Sequence, residues 1–170
     1  MSLHADLRAQ ARHLATLDRT RPRQANLRRA VSAAYYSLFH LMIYEATGMM
    51  FGWHRDRRGF RRALARGFSH QSMAAACKSF QGGTLPTSIT AAVGSLPIPA
   101  ERRDLAAAFA KLQEERHRAD YNMALPFTRS EVLSLLRELD RVVGGWQRIR
   151  MQPAARFFLM ALPLWEQLRR

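Results

Sequence analysis

Apolar residues along the chain recur at three- and four-residue steps, with no strand-like alternation between apolar and polar positions. Leu3, Leu7, Ala11, Leu14 and Leu17 mark one face of a first helix, with Ser2 placed as its cap. The segment "RTRPR" breaks it. Leu27, Val31, Ala34, Tyr35, Leu38 and Met42 then form the stripe of a long helix over residues 23–50, ended by Gly48 and Gly52. "WHRDRRGFRRALARGF" predicts a basic loop running into a short helix. Ser69 stands as the cap of the next helix, "SHQSMAAACKSF", which "QGG" stops. Residues 81–100 hold Gly, Pro, Ser and Thr in quantity and predict an irregular connection with one short helical turn at "SITAAV".

Pro99 suits the first turn of a helix over 99–122, which carries Leu105, Ala108, Phe109, Leu112, Arg116 and Tyr121. "LPF" breaks the chain again. "TRSE", Thr128 to Glu131, has the form of a capping box. It opens a helix with Val132, Leu135, Leu136, Leu139 and Val143 apolar, interrupted at Gly144 and Gly145. "PAARFFLMALPLWEQLRR" is a last helix with Pro163 inside it. The pattern therefore predicts an all-α chain, an antiparallel four- to five-helix bundle over residues 1–145. An extra amphipathic C-terminal helix over residues 146–170 is expected to pack on the bundle or on a second subunit. Its apolar run "FFLMALPLW", flanked by arginines, also suits a membrane interface, but a bare patch of that kind favours packing.

Composition narrows this picture. The 170 residues suit one domain of ordinary size. No apolar run reaches the ~18 residues of a membrane span, and the N-terminus lacks the apolar core of a signal peptide, so a cytoplasmic protein is expected. The single cysteine, Cys77, excludes an intrachain disulfide and a cysteine zinc site, and reads as a small buried residue. No Gly-rich phosphate loop, His-Glu-x-x-His helix or paired histidine–cysteine set occurs, so neither a cofactor nor a metal site is predicted. His4, His13 and His54 have no evident partners in the sequence.

Charge changes the picture most. Lys+Arg is 27 against Asp+Glu 13, a net +14, and Lys78 and Lys111 are the only lysines. A GC-rich genome explains arginine over lysine, but not the excess of bases over acids. Such an excess favours polyanions, meaning nucleic acid, RNA among them, or an acidic partner. The run from His54 to Arg66 concentrates it: Arg55, Arg57, Arg58, Arg61, Arg62 and Arg66, with Trp53 and Phe60 interleaved as stacking residues would be for single-stranded RNA. A solvated basic loop is the alternative reading of the same run.

Two further stretches carry candidate chemistry. In "AAYYSLFHLM", Tyr36 and His40 are four residues apart and share a helix face. They are either part of a core stripe with polar tips at its rim or the lining of a cleft. In "EERHRADYN", Arg116 and Asp120 are also four apart and pair along the helix, as do Glu114 and Arg118. Exposed pairs of this kind stabilise by only a few tenths of a kcal/mol, so salt-bridging alone is a weak reason to have them.

Taken in order, "AAYYSLFH", "FSHQSMAAACKSF" and "RHRADYN" resemble small prokaryotic HEPN-domain proteins, over residues 20–143. That family has Ala-Tyr-Tyr-x-x-Phe-His on its second helix, Ser-His or Thr-His opening the third, and Arg-x-x-Ala-Asp-Tyr closing the fourth. The resemblance implies a four- or five-helix bundle that dimerises. It also implies a metal-independent ribonuclease, a toxin or defence component held in check by a nucleotidyltransferase-type partner. The alternative it offers is a non-catalytic module that binds a nucleotide or such a partner protein. The family's catalytic pattern is an arginine, a polar residue and a histidine further along the helix. Arg116 and His117 match its start, but Tyr121, Asn122 and Met123 occupy the positions where the histidine would fall. A phenol with a pKa of about 10 is a poor base at neutral pH. In the catalytic reading Arg116 binds the scissile phosphate, and Asp120 orients it or a neighbouring histidine. Tyr121, Tyr36 and His40 line the cleft, and His40 or His70 replaces the missing imidazole. The same pattern at Arg8 to His13 lies on another helix and is expected by chance in so arginine-rich a chain.

Overall fold

The computed structural model describes residues 2–82, 85–94 and 99–169, and among these every regular element is helical. The elements are α1 (Leu3–Thr16), α2 (Gln24–Phe51), a 3-10 turn (Arg55–Arg57), α3 (Arg58–Ala65), α4 (His70–Gly82), α5 (Thr87–Val93), α6 (Ala100–Tyr121), α7 (Arg129–Ile149) and α8 (Pro153–Leu168). The all-α expectation holds, and the short helix expected at "SITAAV" is α5.

Local chemistry explains most boundaries. Thr128 and Glu131 form the reciprocal capping box: the Thr128 N–H donates to Glu131 Oε2 at 2.6 Å, and the Glu131 N–H donates to Thr128 Oγ1 at 3.2 Å. Ser69 Oγ accepts from the Ser72 N–H at 3.0 Å, which starts α4. Gly52 adopts a φ of 72° and donates its N–H to the Gly48 carbonyl at 2.7 Å, the usual glycine close of a helix. Gly48 itself lies inside α2, where a Cβ would come 2.3 Å from Trp53 Cε2.

Three details differ from the sequence reading. Ser2 precedes α1 but makes no side-chain cap bond; its hydroxyl lies 3.0 Å from His4 Nε2 instead. α7 does not stop at Gly144 and Gly145 but runs on to Ile149. Glycine costs a helix about 1 kcal/mol relative to alanine. Burial of Trp146 and Ile149 one turn later is worth more, and Gly145 leaves room for Glu101, whose Cγ lies 3.3 Å from where a Cβ would be. Pro163 sits inside α8 without ending it. A mid-helix proline costs about 3 kcal/mol, outweighed by burial of Phe158, Leu159, Leu162 and Trp165 at ~1.5–3 kcal/mol each.

The chain forms two compact units. The first comprises Met1–Leu41 and Ala108–Gly144, and the second Met42–Ala107 and Gly145–Arg170. In the first, the apolar stripe of α2 (Leu27, Val31, Tyr35, Leu38) shares a core with Phe109 and Leu112 of α6 and Val132, Leu136 and Leu139 of α7. Gln24 ties this unit's ends: its side chain donates to the Phe127 carbonyl at 2.8 Å and accepts from the Phe127 N–H at 2.9 Å. In the second, α8 packs along α4, with Phe80 between Phe158 (4.9 Å) and Trp165 (5.5 Å). The tail's apolar face is thus covered from within the chain. No helix among the described residues is long and apolar enough to cross a membrane. Cys77 is buried in α4, and burial pushes its thiol pKa up.

Candidate functional site

Between Ala30 and Met42 every residue of α2 is buried except Tyr36 and His40. The helical four-residue spacing puts these two on one edge of an otherwise core-facing stretch, with their rings stacked 6.4 Å apart. That edge meets the end of α6. The Arg116 guanidinium lies 5.8 Å from the ring centres of both Tyr35 and Tyr36, within cation–π range. Tyr36 therefore touches Arg116 on one side and His40 on the other.

Arg116 is held in place. Its Nε is 2.8 Å from Asp120 Oδ2, although Nε makes no aligned hydrogen bond, so the contact is an ion pair. The other Asp120 oxygen accepts from the Ser32 hydroxyl at 2.8 Å. Asp120 is thereby fixed from both α2 and α6. Burial is the largest single influence on Arg116 and pulls its pKa down, but Tyr36, Asp120, Tyr121 and Tyr35 together outweigh it and raise the pKa. The guanidinium is a permanent cation with planar N–H donors, which suits an oxyanion.

A second imidazole joins this edge from α1. The Ser37 hydroxyl donates to the His4 carbonyl at 2.9 Å and pins the start of α1 against α2. His4 is half-buried, and its pKa is lowered first by burial, then by Arg8 and by His40, against a smaller opposing effect of Asp6. His4 and His40 thus lie within each other's electrostatic reach. Sequence spacing did not reveal His4, since its neighbours lie more than thirty positions away along the chain.

Other predicted residues fall elsewhere. His117 is exposed and its ring lies 4.7 Å from that of Tyr121, itself 66% exposed. His70 opens α4, in the second unit, and is half-buried. The basic run also belongs to the second unit, where no residue of α3 is buried. Within it Arg61 donates to the Gly52 and His54 carbonyls at 2.7 and 2.9 Å, and Arg57 to the Phe51 carbonyl at 3.2 Å. These two arginines brace the turn. Arg55, Arg58, Arg62 and Arg66 are exposed and make no ion pair among the described residues, and the last three recur every fourth residue as one stripe. Phe60 is 63% exposed and stacks on Phe51 at 5.5 Å, while Trp53 packs over Gly48 and Tyr44.

Several half-buried arginines are committed to the chain itself. Arg28 donates to the carbonyls of Ala119 (2.8 Å), Asn122 (3.0 Å) and Leu125 (2.9 Å), closing the C-terminal end of α6. Arg118 lies 4.1 Å above the Phe127 ring and pairs with Glu115, and Arg129 holds the Asp18 and Arg19 carbonyls. Compared with family models, with curated proteins and with solved structures, the chain finds no match in any of the three.

Proposed function

We propose that this chain is a HEPN-like RNA-binding protein that cleaves RNA without a metal ion at the Arg116–Tyr36–His40 edge. One observation carries the reading: Tyr36 lies against both the motif arginine of α6, 5.8 Å from its ring, and the His40 imidazole of α2, 6.4 Å from its ring. In this reading the terminal N–H groups of Arg116 hold the nonbridging oxygens of the scissile phosphate. His40 takes the proton of the ribose 2′-hydroxyl, and the freed oxygen attacks phosphorus. The bond to the 5′ oxygen breaks, and that oxygen takes a proton from water. Asp120 and Ser32 position Arg116, and the exposed stripe of Arg58, Arg62 and Arg66 attracts the strand. The family resemblance adds a homodimer and a nucleotidyltransferase-type partner that restrains the activity, in a toxin–antitoxin or defence setting.

The products test it. Cleavage in EDTA should leave 2′,3′-cyclic phosphate and 5′-hydroxyl ends. Products with 3′-hydroxyl ends that form only with added magnesium would contradict it. A second reading, a non-catalytic module docking a partner protein, is favoured by Tyr121, Met123 and Leu125, exposed by 66%, 71% and 51% at the end of α6. It expects no cleavage, and partner capture that is lost in Met123→Lys with Leu125→Lys.

A further inference from the structure

Two ring pairs neighbour Arg116, one from each helix. The Tyr36–His40 pair of α2 has its ring centres 6.4 Å apart. The second pair belongs to α6: the His117 and Tyr121 rings lie 4.7 Å apart, one helical turn from each other. The helical repeat sets the order of groups around α6. The buried Leu105, Leu112 and Ala119 come first, then Arg116 and Asp120, then His117 and Tyr121. α2 engages Arg116 through Tyr36 and Asp120 through Ser32, and His117 and Tyr121 are left exposed.

Tyr121 is 66% exposed, yet the end of α6 that carries it is held fast. Arg28 donates to the carbonyls of Ala119 and Asn122, on either side of it, at 2.8 and 3.0 Å. The ring is therefore a large apolar surface set on a fixed piece of backbone. Tyr121 is also among the groups that raise the Arg116 pKa, so the phenol and the guanidinium lie within electrostatic reach of each other. A phosphate held by Arg116 brings the bases of its two nucleosides near these rings. His40 acts on the 2′-hydroxyl of the nucleoside 5′ of the cut, which puts that nucleoside on the α2 side. The nucleoside 3′ of the cut is left with the α6 side, where the open ring stands.

We propose that Tyr121, with His117 beside it, is the stacking surface for the base that follows the scissile phosphate. The subsite rests on the ribonuclease reading and narrows its substrate. The strand has to be unpaired 3′ of the cut, because a base inside a duplex has no free face to offer. Stacking accepts any of the four bases, since each has such a face. Tyr121 thereby has a part in binding the substrate and none in moving a proton.

A DNA oligonucleotide carrying one ribonucleotide fixes the position of the cut, since only that residue has a 2′-hydroxyl. The full chain is assayed in EDTA on this substrate and on the same strand with an abasic residue directly 3′ of the ribonucleotide. Wild type should show a kcat/KM about tenfold lower on the abasic strand. Tyr121→Ala should bring the intact strand down to the abasic level and so erase the difference; Tyr121→Phe, which keeps the ring, should restore it. Wild-type cutting that ignores the abasic residue, or a difference that persists in Tyr121→Ala, would overturn the subsite and leave the ribonuclease reading standing. The exposed ring would then belong with Met123 and Leu125 as a surface for a partner protein. No cut in either strand by the wild type would contradict the ribonuclease reading itself, and the subsite with it.

Discussion

Replacing Ser32 with alanine removes one hydroxyl and tests whether Asp120 is held as the structure indicates. Ser32 is 6% exposed, and its Oγ donates to Asp120 Oδ1 at 2.8 Å. A hydrogen bond to a charged acceptor contributes ~1.5–3 kcal/mol. The Asp120 side chain keeps 30% of its exposure, so solvent screens part of this and about 1–1.5 kcal/mol is expected for Ser32→Ala. Asp120→Ala should cost more, about 2 kcal/mol, because it also leaves the buried Nε of Arg116 without its counter-charge. The double variant should fall short of the sum by about 1 kcal/mol, since the second loss removes a bond already broken. Urea unfolding of the four proteins measures this coupling. Strict additivity, with a coupling below about 0.3 kcal/mol, would show that Ser32 and Asp120 do not act together and would remove the argument that Arg116 is positioned.

Three other outcomes follow from the geometry. The folded pKa of His4 is lowered, so the unfolded chain binds the extra proton first; stability should fall as pH drops below the unfolded value of about 6.5 and level off below the folded one. His4→Gln should flatten that part of the stability–pH profile, and an unchanged profile would refute the assignment. Gly48→Ala should push Trp53 off α2, destabilise by about 1–2 kcal/mol and increase iodide quenching of tryptophan fluorescence, because Trp146 and Trp165 are buried; unaltered quenching would contradict the contact. Changing Arg58, Arg62 and Arg66 to alanine should reduce the slope of log K against log salt for single-stranded RNA by about 2, whereas an unchanged slope would mean the stripe does not touch phosphate.

The helices were legible because their signals are local. The Thr128–Glu131 box, the Ser69 cap and the glycine at position 52 each act within a few residues of themselves, and each forms as the sequence indicates. Gly144 and Gly145 were misread because the forces that carry α7 through them are tertiary: the burial of Trp146 and the close approach of Glu101. The same limit applies to the site. The Arg116–Asp120 pair and the Tyr36–His40 spacing are visible along single helices. That His4 joins them depends on α1 lying against α2, fixed by the Ser37 bond to the His4 carbonyl. Net charge was the least transparent signal, because Arg28, Arg61, Arg118 and Arg129 spend much of their hydrogen bonding on carbonyls or acids of the chain itself. Only part of the +14 is therefore presented as free arginine.

The most direct measurement is RNA cleavage by the purified chain in EDTA, comparing wild type with Arg116→Ala, His40→Ala and His4→Gln, with folding of each checked by circular dichroism. The wild type should cleave, Arg116→Ala and His40→Ala should not, and His4→Gln should show a shifted pH–rate profile. Wild-type cleavage that survives in folded Arg116→Ala, or no cleavage of any structured or single-stranded RNA by the wild type, would contradict metal-independent cleavage at the Arg116 edge.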